Sequence, residues 1–240
     1  MLRRPCGWSS ILRPRPDAVL FDWDDTLAEH RSTSIRIMGE LKQDYGAQGE
    51  IRPEELLKAW YKNPAQCCQE YFPDHTVEEM KQKYREKLLA LPVTDVTLLD
   101  GAEGVLRALK AKGIPMAIVS NKSEERLKAE IAHCGLTDTF GAIIGYDGAS
   151  KAKPHFGPIG RALKALNVGL GNIWMVGDSP EDAGAARSDG ITHFHVGDFL
   201  RDIVRSHIEE PVIHLESLSA FQEYIESIPD RVASAGTLNP

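Results

Sequence analysis

Four short stretches of the chain, residues 18–21, 115–119, 142–144 and 173–176, are apolar throughout, with no polar position interleaved. A strand with one wet face alternates polar and apolar residues, so solid runs of this length predict parallel strands covered on both sides. A weaker run, 192–196, predicts a fifth.

Helical spacing fills the gaps between these runs. Residues 102–112 put Val105, Leu106 and Leu109 on one face, with Gly113 where a C-cap belongs. Ser123 precedes Glu124 and Glu125, an N-cap with acids in the first turn, and that helix should reach Cys134 before Gly135. Pro158 suits the first turn of a helix ending at Leu166. Strands and helices in alternation predict an α/β fold with a doubly wound parallel sheet.

Residues 28–98 break the rhythm and read as wholly helical. Ile35, Met38 and Tyr45 share one stripe, Leu56, Leu57 and Trp60 another, and Val77, Met80, Tyr84, Leu88 and Leu91 a third. The stretch is expected to be a helical cap inserted into a core of 17–27 and 99–228. It leaves and rejoins that core beside the end of the first strand, so it should cover whatever lies there. Beyond 196 the pattern predicts a helix over 199–208, a short edge strand over 211–215, a closing helix over 218–225 and a flexible tail over 229–240.

Composition narrows the partners. Of 240 residues, 42% are hydrophobic and 26% charged, ordinary values for a globular protein, and the net charge of −7 argues against a nucleic-acid backbone. A small anionic substrate stays compatible, since a local site can be positive. No apolar run approaches the roughly 20 residues of a membrane-spanning helix. Cys6, Cys67, Cys68 and Cys134 have no metal-binding spacing and read as reduced thiols, which points to the cytoplasm. The first 16 residues hold four arginines and no acid. They lack the apolar segment of a secretory signal, and three prolines oppose an amphipathic transit helix. They read as a disordered basic leader, with an organellar targeting segment as the second reading.

The acids of Phe21-Asp22-Trp23-Asp24-Asp25-Thr26-Leu27 then stand out, because carboxylates so close repel one another and folding alone gives no reason for them. In open parallel sheets, ligands bind beyond the carboxyl ends of the strands. After the second strand come Ser120, Asn121 and Lys122; after the fourth, Gly177-Asp178-Ser179-Pro180-Glu181-Asp182; and Lys153-Pro154 precedes the helix near Phe156. Acids, a hydroxyl and an ammonium should therefore meet at one sheet edge. Each motif alone is weak, since Asp-x-Asp in a loop is more often a solvated turn and Gly-Asp-Ser-Pro an ordinary turn sequence. Four in order at matching strand ends form a strong joint signal.

In this set the chain resembles the haloacid dehalogenase superfamily of phosphohydrolases: Asp-Trp-Asp-Asp-Thr matches its first motif, Ser120 the second, Lys153 the third and Gly-Asp-Ser-Pro-Glu-Asp the fourth. The resemblance implies that Asp22 is a nucleophile forming aspartyl-phosphate, that Asp24 is the general acid and base, and that Asp24 also offers its carbonyl to Mg²⁺ with Asp22 and Asp178. Asp182 would act at the metal directly or through water. Lys153 would neutralise the nucleophile and the phosphoryl group, with Ser120, Asn121 and nearby backbone amides holding phosphate oxygens. The substrate would be a small phosphomonoester, phosphoglycolate-like, handled by a monomer or homodimer. Haloacid dehalogenases lack the second aspartate of the first motif, so Asp24 points to phosphate chemistry.

Asp25 stands where this family commonly has glycine. Asp is among the few other residues that tolerate positive φ, which makes it a permitted substitution. His30 and Arg31, just past the first motif, are candidates for substrate contact, and Trp60-Tyr61 reads as cap packing. A phosphomutase of the β-phosphoglucomutase type would share every core residue. A noncatalytic, partner-binding protein of the same fold would not need Asp22, Asp24, Lys153 and Asp178 together.

Overall fold

The structure, a computed structural model, describes residues 14–149, 151–187, 191–207 and 213–230. Among these residues six strands form one parallel sheet: β1 (Ala18–Phe21), β4 (Met116–Ser123), β5 (Ala142–Tyr146), β6 (Ile173–Gly177), β7 (Ile191–Val196) and β8 (Ile213–Leu215), in the order β5-β4-β1-β6-β7-β8. The first strand is central, with Leu20 registered between Ala117 and Met175.

Period-two alternation divides the strand side chains between two cores. Val19 and Phe21 join Ile118, Trp174 and Phe194 on the face covered by α5 (Ala102–Ala111), α6 (Glu124–His133) and α10 (Leu218–Ser227). Ala18 and Leu20 join Val119 and Met175 against Ile159 and Leu163 of α7 (Gly157–Leu166). Both faces are dry, which is why the strands carry no polar alternation. The expected doubly wound α/β sheet is present.

Two local expectations need correction. The second strand does not stop at Val119: it continues to Ser123 through an irregularity, after which Ser123 registers with Tyr146. Ser120, Asn121 and Lys122 are thereby held on a bulged strand end, and bulges re-aim side chains. Ser123 does precede α6, but its hydroxyl makes no capping bond.

The insert contains α1 (Arg31–Asp44), α2 (Pro53–Lys62), α3 (Pro64–Tyr71) and α4 (Val77–Leu89), preceded by β2 (Ala28–Glu29) and followed by β3 (Thr97–Leu98). The expectation of an all-helical stretch fails at these ends, where β2 and β3 pair antiparallel, Ala28 with Leu98 and Glu29 with Thr97. Pairing the outgoing and returning chain satisfies backbone groups that a helix end would leave open. Thr76 and Glu79 start α4 with reciprocal side-chain-to-backbone bonds. The insert has its own apolar core, including Ile37, Leu41, Leu56, Phe72 and Met80.

The remaining short helices are α8 (Pro180–Ala185) and α9 (Arg201–His207). Part of the expected leader belongs to the folded body. Arg15 Nη2 donates to the Lys112 carbonyl at 2.6 Å, and Asn172 Nδ2 donates to the Pro14 carbonyl at 2.7 Å. At the other end Lys112 Nζ lies 2.9 Å from Asp230 Oδ1. Residues 1–13 and 231–240, which hold the rest of the expected leader and tail, and Cys6, lie outside the described residues. Cys67, Cys68 and Cys134 are free thiols, and among the described residues no helix is long and apolar enough to cross a membrane.

Candidate active site

The loop after β1 is shaped by its own backbone. The Trp23 carbonyl accepts from the amides of Leu27 and Ala28, both at 3.0 Å, folding the acidic segment back beside the sheet edge. Asp25 has φ +56°, in the left-handed region where Asp is tolerated, and its Oδ1 accepts from the amides of His30 at 3.0 Å and Arg31 at 2.7 Å. Asp25 thus anchors the start of α1, whose own cap residue His30 offers no side-chain bond.

Lys153 is the hub. Its Nζ lies 2.7 Å from Asp22 Oδ1, 2.6 Å from Asp182 Oδ1 and 2.8 Å from the Val119 carbonyl. Asn121 holds the lysine backbone from both sides: its Oδ1 accepts from Lys153 N at 2.8 Å and its Nδ2 donates to the Lys153 carbonyl at 3.1 Å. The Asn121 side chain thus positions the lysine, and Asn121 lines the cavity next to Ser120. Asp182 spends its other oxygen on Ser179, accepting from Oγ at 2.6 Å and N at 3.1 Å in a capping box at the start of α8. Gly177 is required beneath it, because a Cβ there would sit 2.3 Å from Asp182 Cγ.

The carboxylates of Asp22, Asp178 and Asp182 offer oxygens within 4.8 Å of one another, and all three residues are buried. Burial pushes Asp22 up to about 7 against the pull of Lys153, with the Asp182 and Asp24 charges adding to the rise. Burial, with the charges of Asp25 and Asp182, also holds Asp178 well above the carboxylate range. Burial disfavours the charge on Lys153, but Asp182 and Asp22 outweigh it and keep the ammonium above its ordinary value. One ammonium, on Asp22 and Asp182, cannot balance all three acids once they are ionised. A hard divalent cation with oxygen preference relieves that surplus, so the donor set fits Mg²⁺.

Asp24 lies on the other side of the cluster. Burial alone would raise it; His30 and Lys122 outweigh burial and lower it. Lys122 Nζ contacts Asp24 Oδ1 and His30 Nδ1 stands 3.7 Å from the same oxygen, while Tyr84 Oη lies 3.4 Å from His30 Nε2 and 2.8 Å from Ser34 Oγ. Behind Lys122 runs a buried network centred on Glu130, which accepts from Trp23 Nε1 at 2.9 Å and Arg126 Nε at 2.6 Å. Arg126 in turn donates to the carbonyls of Leu91 and Pro92, on the chain returning from the insert.

The structure therefore brings Asp22, Asp24, Ser120, Lys153 and Asp178 to one cavity of about 570 Å³, with His30 also lining it. Arg31 is a correction: it does not line the cavity, and its guanidinium lies 4.6 Å from the centroid of the Phe199 ring. Trp60 and Tyr61, expected only to pack, do both, joining the insert's core and lining the cavity. Lys122, Arg126, Glu130 and Tyr84 were missed as functional residues. A usable signal existed for two of them: Arg126 and Glu130 are i,i+4 partners interrupting the apolar face of Leu127 and Ile131.

A parallel α/β sheet with a lysine-bridged acid cluster at its carboxyl edge, covered by a helical insert, sets the class of protein. A family model described as haloacid dehalogenase-like hydrolase matches residues 19–196, and the chain belongs to that family. It is similar to the phosphoglycolate phosphatase of Rhodospirillum rubrum, 30% identical over 135 residues, which are 55% of this chain and 52% of that protein. The phosphoglycolate phosphatase of Aquifex aeolicus is 27% identical over 172 residues, 72% of this chain and 80% of that one. Among solved structures, a hydrolase of the same superfamily from Ehrlichia chaffeensis shares the fold with TM-score 0.61 and 24% identity, covering 89% of this chain and 97% of that chain.

Proposed function

We propose that the chain is a Mg²⁺-dependent phosphoric monoester hydrolase that turns over a small soluble metabolite through an aspartyl-phosphate on Asp22. The observation that carries this reading is Lys153 Nζ bridging Asp22, just past β1, and Asp182, in the first turn of α8, with Asp24 beside them. Asp22, Asp178 and the Asp24 carbonyl would hold the metal, with Asp182 acting there directly or through water. Bound Mg²⁺ supplies positive charge that offsets repulsion between a carboxylate nucleophile and a phosphate dianion.

The chain's own groups account for the rest. An Asp22 oxygen attacks phosphorus, and the bond from phosphorus to the ester oxygen breaks. Lys153 and Ser120 stabilise the equatorial oxygens. Protonated Asp24 gives its proton to the leaving alkoxide. The resulting carboxylate then takes a proton from water as that water attacks phosphorus, and the bond to Asp22 breaks. The surroundings of Asp24 favour its carboxylate and so suit the second half. Arrival of an anionic phosphate beside it raises its pKa and suits the first.

Phosphoglycolate, named in both relatives, is the first natural ester to assay beside p-nitrophenyl phosphate. Turnover should require Mg²⁺, stop with EDTA and be lost in Asp22→Asn. Activity surviving both chelation and the substitution overturns the mechanism.

A further inference from the structure

Glu130 gathers three segments of the chain at one buried carboxylate. Its Oε2 accepts from Trp23 Nε1 of the acidic loop at 2.9 Å and from Lys122 Nζ of the bulged strand end at 2.6 Å. Its Oε1 accepts from Arg126 Nε at 2.6 Å. The same guanidinium donates to the carbonyls of Leu91 at 2.6 Å and Pro92 at 3.1 Å, where the chain returns from the insert. The side chains of Lys122, Glu130 and Arg126 are at most 8% exposed. Such a network is a weak source of stability, because desolvation offsets its attraction and packed apolar residues often do as well. Neither Glu130 nor Arg126 lines the cavity, so neither touches a substrate. The network ends on Asp24, which does line it and whose side chain is 25% exposed. Lys122 Nζ and His30 Nδ1, at 2.6 and 3.7 Å, both meet Oδ1 of that carboxyl.

We propose that Glu130 and Arg126 are positioning residues for Asp24: they fix Lys122, and through it turn Asp24 Oδ2 toward the leaving oxygen of the ester. The inference rests on the phosphatase reading above and adds the groups that aim its acid. Glu130 holds the lysine ammonium in place, and Arg126 ties Glu130 to the returning chain. An insert seated on the core and an aimed Asp24 are then one arrangement. As the bond from phosphorus to the ester oxygen breaks, that oxygen keeps the electron pair and takes the Oδ2 proton. A misaimed carboxyl costs most where the leaving group is a strongly basic alkoxide. It costs little where the group departs as a stable anion that needs no proton.

The test is a leaving-group series on the full-length protein with Mg²⁺: ethyl, phenyl, 4-nitrophenyl and 2,4-dinitrophenyl phosphate, read as kcat/KM. That ratio covers the steps up to cleavage of the ester bond, before water enters. Glu130→Gln keeps the shape and loses the charge, while Arg126→Lys keeps the charge and loses the planar fork that serves three acceptors. Glu130→Gln should lose at least about tenfold on ethyl phosphate and no more than about twofold on the dinitrophenyl ester. Arg126→Lys should show the same pattern at smaller size, and Asp24→Asn the same pattern at larger size. A purely structural loss lowers every ester by one factor. Equal factors across the series in a folded variant, or no loss at all, overturn the inference. The phosphatase reading then still stands if Asp22→Asn abolishes turnover of the dinitrophenyl ester. If Glu130→Gln does not fold, Arg126→Lys decides by the same comparison. Failure of the unaltered protein to hydrolyse any ester overturns the phosphatase reading and the inference together.

Discussion

The ammonium of Lys122 sits 2.6 Å from Asp24 Oδ1 while the same nitrogen lies 2.6 Å from Glu130 Oε2, deep in the protein. One buried cation therefore balances the proposed acid/base and a second carboxylate that never reaches the cavity. Removing it in Lys122→Met should raise the pKa of Asp24, since its lysine partner is gone. The acidic limb of the pH–rate profile should move to higher pH, and kcat near neutrality should fall by about tenfold or more. Stability should drop by roughly 3–5 kcal/mol, because a buried ion pair has lost one partner. A pH profile together with denaturant unfolding checks both, and an unmoved acidic limb would detach Lys122 from Asp24.

Asp25 gives a second prediction. Its left-handed backbone and its two amide partners are separate contributions, and two substitutions divide them. Asp25→Ala should lose both, costing about 2 kcal/mol or more, from strain at positive φ and from the uncapped start of α1. Asp25→Gly removes the strain and loses only the acceptor, so it should cost about half as much. Equal losses in thermal unfolding would mean that backbone conformation contributes nothing here.

The strands and the motif residues were legible because each rests on a local cause. Solid apolar runs mark the buried parallel strands, the strand-end rule points to Asp22, Ser120 and Asp178, and Lys153 stands out ahead of its helix. What escaped depends on long-range geometry. Nothing local says that the Asn121 amide turns to the Lys153 backbone, 32 residues away. Nothing local says that Lys122, on the irregular strand end after Val119, bridges Asp24, 98 residues away, and Glu130. Arg31 looked like a substrate contact from its distance along the chain, but Asp25 fixes its amide and its side chain turns to Phe199. The ribbon β2–β3 was hidden because two-residue strands carry no periodicity.

Metal affinity should depend on pH through Asp22. Its folded-state value of about 7 means that below neutrality a proton competes with the cation for the same oxygens. Apparent Mg²⁺ affinity should rise by up to about tenfold per pH unit below 7 and level off above it. Calorimetric titration at pH 6, 7 and 8 should show proton release on binding that shrinks toward pH 8. Asp22→Asn should reduce the pH dependence, leaving the part contributed by Asp178. An affinity constant from pH 6 to 8 in the unaltered protein would exclude a proton shared with the metal site.

The edge of the sheet carries a last prediction. His195 of β7 is fully buried, 6.2 Å from His193 and 5.7 Å from His214 between ring centroids. Burial pushes His195 down to about 4, with the His193 and His214 charges acting in the same direction and Asp182 against it. His193 is also lowered to about 4, first by burial. His214 is lowered as well, first by burial, although Asp198 lies 3.2 Å from its Nε2. The unfolded chain takes up protons at these rings near pH 6.5 and the folded one only near 4. Stability from the neutral rings is therefore complete above 6.5 and is lost as pH falls from 6.5 to 4, by about 3 kcal/mol for His195. Asp22, raised on folding, acts in the opposite sense, so the informative quantity is the difference between the protein and His195→Phe. Denaturant unfolding at pH 7.5, 6, 5 and 4.5 should show the variant losing less stability on acidification. Parallel curves would mean that His195 does not set the acid sensitivity of this edge.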